Sequence, residues 1–410
     1  MLSPHPRQSA APDLASPTGP GALDAAVRAH ESTIRELRRY LHAHPEPSGA
    51  EFRTTSYLQH LAEDAGMQFR VAPSGRGLIV DGGPVDARQR IAIRADIDAL
   101  RIQDEKSVIY HSQEANLMHA CGHDAHTAMA WGATLALHEM RKKAPSLAWR
   151  AIFQPSEETA QGANEMIDAG ALDDVVATYA LHVDPAMPSG VLGFRSGTLT
   201  AACDEFNVLV KGRGGHGARP HLAADPIFAA TQYVNAVYSH LPRSVDSRHA
   251  SVVSVGMIEA GVNPNVIPET AVIRGTIRTV EPGGSEAIRQ RLRMLASAVG
   301  ETHGCEIVVD FPYHLPSVRN APDLTARAQT TAIGLFGEAR VVDIPLPSLG
   351  GEDFAFYLTQ VPGVMARLGV AFPGESARHL HTNTFDVHED ALIVGARWLA
   401  AMAGQGAKPR

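Results

Sequence analysis

Eight consecutive residues carry five side chains able to bind a metal: His119, Cys121, His123, Asp124 and His126, with a carboxylate pair, Glu157 and Glu158, about one βα unit downstream. One His or Cys is usually structural. A Gly-containing loop, His119-Ala120-Cys121-Gly122-His123, that packs imidazole, thiolate and carboxylate donors together suits a borderline divalent ion such as zinc or a neighbour in the series. The chain must therefore fold so that distant loops meet at this run.

At 410 residues the chain exceeds the roughly 250 to 300 at which one core stops growing, so two domains are expected. A hydrophobic fraction of 44% and a charged fraction of 20% are those of an ordinary globular protein. No stretch approaches the roughly 20 apolar residues of a membrane span. With a net charge of −8 and scattered Arg there is no basic stripe, so neither nucleic acid nor an anionic membrane is an expected partner. Three cysteines, Cys121, Cys203 and Cys305, are too few and odd in number for a disulfide framework, which favours a reducing cytoplasm. Residues 1–20, rich in Pro, Ser and Ala without the pattern of a secretory signal, read as a disordered tail.

Apolar positions Val27, Ile34, Leu37 and Leu41 predict one helix from Asp24 to His44, stopped by Pro45. A short helix follows around Leu58 and Leu61, then strands over 77–80 and 91–95, the latter delivering Asp96 and Asp98 at its end. A long helix is expected over 124–142, a strand over 149–153, a helix near Met166, and a strand over 175–181 ending at His182. This alternation indicates an α/β domain with a mostly parallel sheet, whose ligands gather at strand ends. Between Cys203 and Val318 the order becomes strand 206–210, helix 226–241, strands 251–258 and 272–280, helix 287–299 and strand 307–311. That βαββαβ series is the split unit of a ferredoxin-like domain. Alternation resumes after Pro322 and ends in a helix over 391–402. The expected organisation is an α/β catalytic domain in two pieces, 21–198 and 319–410, with a compact ferredoxin-like domain, 199–318, inserted between them.

Cys121 with His123, Glu158, His182 and His381 lie at predicted strand ends or in the loops after them. Five donors are more than one tetrahedral ion with an open position needs, so two divalent ions sharing Cys121 as a bridge are the economical answer. Glu157 and Glu158 point different ways, so one can bind metal while the other acts as general base on a water and then hands the proton to a leaving amine. Asp96 suits the acceptor of the spare N–H of a ligand imidazole such as His123. Asp98 has no assigned role beyond capping the turn.

In the inserted region, the Gly-rich loop 211–221 lacks phosphate-cradle spacing and reads instead as a flexible carrier of His216, which can polarise a carbonyl oxygen. Asn265 and Arg278 offer an amide and a guanidinium for a substrate carboxylate. A turn with a surface Arg is an equally plain reading of those positions.

Leu41-His42-Ala43-His44-Pro45-Glu46, Arg94-Ala95-Asp96-Ile97-Asp98-Ala99-Leu100, the run from Met118 to His126, Phe153-Gln154-Pro155-Ser156-Glu157-Glu158, Gly350-Gly351-Glu352-Asp353-Phe354 and His379-Leu380-His381-Thr382 together resemble the metal-dependent amidohydrolases related to aminoacylase, hippurate hydrolase and the auxin-conjugate hydrolases. The resemblance spans about residues 41 to 382. It implies a dinuclear centre, zinc or manganese, held by Cys121, His123, Glu158, His182 and His381, with Glu157 as acid/base. It also implies a homodimer through the inserted lid domain, with His216 and Asn265 reaching the partner's site. Arg101, Ser156 and Leu349 depart from the commonest Pro, Ala and Met of such proteins, leaving substrate preference open.

The expected activity is metal-dependent hydrolysis of the amide of an N-acyl amino acid. A dipeptidase or aminopeptidase using the same centre would need an acidic anchor for an ammonium. A silent binding homologue would have lost a ligand or the base. A thiol hydrolase using Cys121 as nucleophile would resist a chelator.

Overall fold

The computed structural model describes residues 20–246 and 248–406. The expected tail lies outside them, apart from Pro20, where the first helix begins. The helix expected over 24–44 is two helices, Pro20–Ala29 and Glu31–Ala43. The break falls at His30, whose N–H closes a tight turn onto Val27 and whose imidazole reaches Glu139 at 2.8 Å. Leu23 and Val27 are buried from one helix and Ile34, Leu37 and Leu41 from the other.

The described residues form two compact units. The first runs to Phe194 and takes in Ala321–Asp343 and the chain from Gln360; the second comprises Arg195–Asn320 and Ile344–Thr359. The first unit is built on an eight-stranded mixed sheet. Its four central strands, Trp149–Gln154, Arg90–Asp96, Val175–Pro188 and Gly363–Ala371, run parallel in that spatial order. Arg90–Asp96 and Trp149–Gln154 are buried at every position, as expected of parallel strands covered on both faces. Two short strands absent from the sequence expectation, Gln68–Val71 at one edge and Leu192–Phe194 next to the other, are only four and three residues long, too short for a periodicity to register.

The helix His123–Glu139 packs against helices Glu31–Ala43 and Asp390–Gly404 and against the sheet. Burial almost all round explains its lack of a polar face. The helix Phe52–Asp64 is capped from outside by Glu46, whose carboxylate accepts the N–H groups of Arg53 (3.1 Å) and Thr54 (2.7 Å).

The second unit contains the βαββαβ series: Ala202–Lys211, Pro226–Ser244, Ser251–Ala260, Thr270–Thr279, Gly284–His303 and Glu306–Leu315. All strand pairs are antiparallel, in spatial order Ser251–Ala260, Thr270–Thr279, Ala202–Lys211, Glu306–Leu315. The edge strands alternate between covered and exposed residues, because the helices cover one face. Pro226 and the Asp225 carboxylate, which accepts from Ile227 N–H at 2.8 Å, start the first of those helices.

Candidate metal centre

Gly122 is where the metal-capable loop becomes a helix, and only glycine fits there. Its φ is +88°, and an added Cβ would lie 2.5 Å from Val183 Cγ2. The loop thereby presents Cys121 on one side of the turn and His123, the first residue of the helix, on the other.

Three further elements of the same unit bring donors to this point. Cys121 Sγ lies 3.5 Å from His182 Nε2 and 3.3 Å from His381 Nε2. Glu158 Oε1 lies 3.5 Å from His381 Nε2 and 3.8 Å from His123 Nε2. Glu157 Oε2 stands 3.9 Å from His123 Nε2. The donors fall into two triads sharing the thiol, Cys121–His123–His182 and Cys121–Glu158–His381. His381 is held with a positive φ of 60°, its N–H bonded to Ala120 O at 2.8 Å, so the second triad closes through a backbone conformation that His seldom adopts. His182 is not at a strand end as expected. The strand continues to Pro188 because it pairs with Gly363–Ala371, with His182 opposite Arg367.

Hydrogen bonding decides which nitrogens face the cluster. His182 Nδ1 donates to Val183 O at 2.8 Å, leaving the Nε2 lone pair toward Cys121. His123 Nδ1 lies 3.0 Å from both Asp98 O and Asp98 Oδ1, two acceptors, so in the neutral ring Nε2 carries the lone pair. The partner of His123 is thus Asp98, not Asp96. Asp96 ends its strand beneath the next turn of the helix, where His126 Nδ1 meets Oδ1 at 2.6 Å, and Arg94 Nη1 donates to Oδ2 at 2.6 Å. His126 Nε2 in turn accepts Val183 N–H at 2.9 Å. With both oxygens of Asp96 and both nitrogens of His126 engaged, this buried trio supports the centre and is not a third set of ligands.

Asp98 also accepts Glu158 N–H at 3.0 Å, so one carboxylate fixes an imidazole and the turn bearing the glutamate pair. No spacing rule links those positions.

His119 and Asp124, the other members of the eight-residue run, belong to neither triad. Asp124 Oδ2 accepts from Arg38 Nε (2.9 Å) and lies 2.7 Å from His42 Nδ1 in a buried ionic network. His119 is buried beside His42, and desolvation pushes its pKa down to about 4.

The donor set fits divalent cations. His123 Nε2 and Glu158 Oε1 are buried without a hydrogen-bond partner among the described residues, an arrangement that is costly unless a ligand completes it. Burial pushes the Cys121 thiol well up and the His182 imidazole well down. Against its own desolvation, the charge of Asp96 and the bond to Asp98 hold His123 well above its ordinary range. That accumulation of anionic groups is what a pair of cations offsets.

His216, Asn265 and Arg278 belong to the second unit. His216 and Asn265 come together there: His216 pairs with Val266 in a two-stranded ribbon, and Asn265 O accepts Gly217 N–H at 2.8 Å. Arg278 stands on another strand, its Nη1 donating to Leu349 O at 2.8 Å and lying 3.1 Å from Cys203 Sγ. The guanidinium thus braces the chain just before Gly350-Gly351, a contact that reading the sequence did not foresee.

Residues 92–405 match the model of peptidase family M20/M25/M40. The N-acetylcysteine deacetylase of Bacillus subtilis is 35% identical, with 92% of this chain and 98% of the relative covered. The N-acetyldiaminopimelate deacetylase of Halalkalibacterium halodurans is 33% identical over 90% of this chain and 98% of its own length. Among solved structures, a Bacillus subtilis protein described as a dinuclear metal-binding peptidase of the M20 family superposes with a TM-score of 0.79 at 32% identity, covering 92% of this chain and 98% of that one. With the match running through every donor of the cluster and nearly the whole folded chain, this protein belongs to peptidase family M20/M25/M40.

Proposed function

We propose that this chain is a metal-dependent amidohydrolase that cleaves the amide joining an acyl group to an amino acid with a free carboxylate. The observation that carries this reading is the meeting of buried Cys121, His123 and His182 with half-buried Glu158 and exposed His381, the lone pairs of His123 and His182 turned inward by Asp98 and Val183. The deacetylase relatives support the substrate class. Two divalent ions, zinc or manganese, would be held by Cys121 together with His123 and His182, and by Cys121 together with Glu158 and His381. When bound, such ions polarise a carbonyl and make water acidic at neutral pH.

Glu157 acts as general base and then general acid: it takes the proton of the attacking water as the new C–O bond forms, and delivers it to nitrogen as the C–N bond breaks. His216 donates from Nε2 to the carbonyl oxygen as that atom gains charge. Arg278 and, reaching across from a second copy of the chain, Asn265 anchor the carboxylate of the amino-acid half, the bidentate task for which Arg is suited. The ferredoxin-like region serves as lid and as the contact between two copies of the chain, a role supported by Leu209, Val252 and Val308 exposed on its sheet. Three buried, unpaired cysteines suit a cytoplasmic enzyme.

The test is Glu157→Gln assayed on N-acetyl amino acids, with metal content measured in parallel. Turnover should fall by at least about 10² to 10⁴ while both ions are retained. Undiminished turnover would remove Glu157 from its role. Preference for free dipeptides over their N-acetylated forms would move the assignment to a peptidase.

A further inference from the structure

The segment 48–51, between helices Glu31–Ala43 and Phe52–Asp64, has no part in the proposed reaction, yet it is bonded to both turns that carry the site's carboxylates. Ser48 Oγ donates to Asp98 Oδ2 at 2.6 Å, the oxygen that also accepts Glu158 N–H. Gly49 N–H donates to Ser156 Oγ at 2.9 Å. Glu51 is fully buried. Its Oε1 accepts Ser156 N–H at 2.7 Å, Ser156 O–H at 3.2 Å and Gly49 N–H at 3.1 Å, while Oε2 pairs with Arg76 Nη1 at 3.2 Å. Arg76 Nη1 also donates to Ser156 Oγ at 3.0 Å, so that hydroxyl gives one hydrogen bond and accepts two.

These bonds converge on a strained residue. Ser156 has φ of +53°, a conformation that is unfavourable for a non-glycine residue and persists only where its surroundings impose it. It is also the residue before Glu157, so this left-handed turn sets the direction in which the glutamate pair leaves the strand Trp149–Gln154. Through Ser156 N–H, Glu51 is the buried acceptor that holds the turn.

We infer that Glu51 is a positioning residue for Glu157: it locks the left-handed turn at Ser156 and so fixes the carboxylate that moves the proton. This rests on the reading of Glu157 as acid/base. Glu51 touches neither substrate nor metal; it acts only through Ser156.

The test uses the full-length, metal-loaded protein with an N-acetyl amino acid. Glu51→Ala, Glu51→Gln, Ser156→Ala, Glu157→Gln and the double variant Glu51→Ala/Glu157→Gln are compared for metal content, KM and kcat. Glu51→Ala should keep both ions and a nearly unchanged KM while kcat falls by about 10²-fold, the usual consequence of misplacing a catalytic group by about 1 Å. Glu51→Gln should recover part of the loss, because its amide oxygen still accepts Ser156 N–H. In the Glu157→Gln background, Glu51→Ala should remove little more, since the two act on one step. Should Glu51→Ala fail to fold, Glu51→Gln and Ser156→Ala carry the same comparison with smaller losses.

Unchanged kcat, a loss that follows metal content, or an equal loss with and without the Glu157 carboxylate would each overturn the inference. If Glu157→Gln itself turns over normally, the acid/base assignment fails first, and that signature is separate from a failure confined to Glu51.

Discussion

Asp98 Oδ1 lies 3.0 Å from Nδ1 of His123, and that contact decides which nitrogen of the imidazole faces the other donors. The acceptor is buried, and among the described residues Asp98 alone, through Oδ1 and its carbonyl, meets that N–H. Asp98→Ala should therefore leave His123 free to rotate or change tautomer, and should loosen the turn at Glu158 as well. Loss of such a supporting carboxylate ordinarily lowers metal affinity by about 10- to 100-fold. Competition with a chelator, run on wild type and variant, measures this; equal affinities would show that His123 is oriented by packing alone.

Arg38 is the cationic centre of the network behind the site. It donates to Asp386 Oδ1 at 2.6 Å as well as to Asp124, with no exposure of the guanidinium. Although burial works the other way, the charge and hydrogen bond of Arg38 hold the Asp386 carboxyl below its ordinary range. A depressed carboxylate stabilises the fold above its unfolded pKa and loses that contribution as pH falls through the folded value. Arg38→Met removes the partner of two buried anions and should cost about 3 to 5 kcal/mol near neutral pH. Below about pH 4 protonation relieves the unpaired carboxylates, so the deficit should shrink. Denaturant unfolding at both pH values checks this; a deficit independent of pH would mean that Arg38 contributes packing rather than charge.

His216 accepts Ala218 N–H at Nδ1 (3.1 Å), which in the neutral ring puts the proton on Nε2 and makes that atom a donor. Such a donor at a developing oxyanion is worth about 10² to 10³ in kcat. His216→Ala should lose turnover in that range with metal content unchanged. A loss confined to KM would instead place His216 in substrate binding.

The parts of the site that were legible in the sequence are those that local spacing dictates. Ile91, Ala92, Ile93 and Ala95 form an apolar run that can only be a covered strand, and Cys121-Gly122-His123 brings two ligand types onto one turn. What spacing does not encode is which groups from separate elements meet. Asp96 and Asp98 are two residues apart at the end of one strand, and a sequence gives no reason to prefer either as the partner of His123. The choice depends on the helix over them: His126, one turn beyond His123, claims Asp96 and leaves Asp98 to His123. The position of His182 inside its strand is hidden for a related reason, because the extension to Pro188 comes from pairing with the distant strand Gly363–Ala371. The break at His30 is not legible in the sequence because both short helices keep apolar positions compatible with one continuous face, and packing against different neighbours separates them.

Cys121 supplies a test of the two-ion reading that does not depend on turnover. Burial raises its thiol well above the ordinary value, and His123 is held well above its own, so in the absence of cations both carry protons at neutral pH. Metal binds only the thiolate and the neutral imidazole, and loading must release those protons. Apparent metal affinity should therefore rise with pH between about 6 and 8, and calorimetry in buffers of different ionisation enthalpy should detect the release. Cys121→Ala removes one of the two sources and the donor shared by both triads, so its affinity should be lower and its dependence on pH shallower. If the wild-type affinity were flat across that range, the thiolate would not be a ligand, and a centre with two ions joined through Cys121 would have to be abandoned.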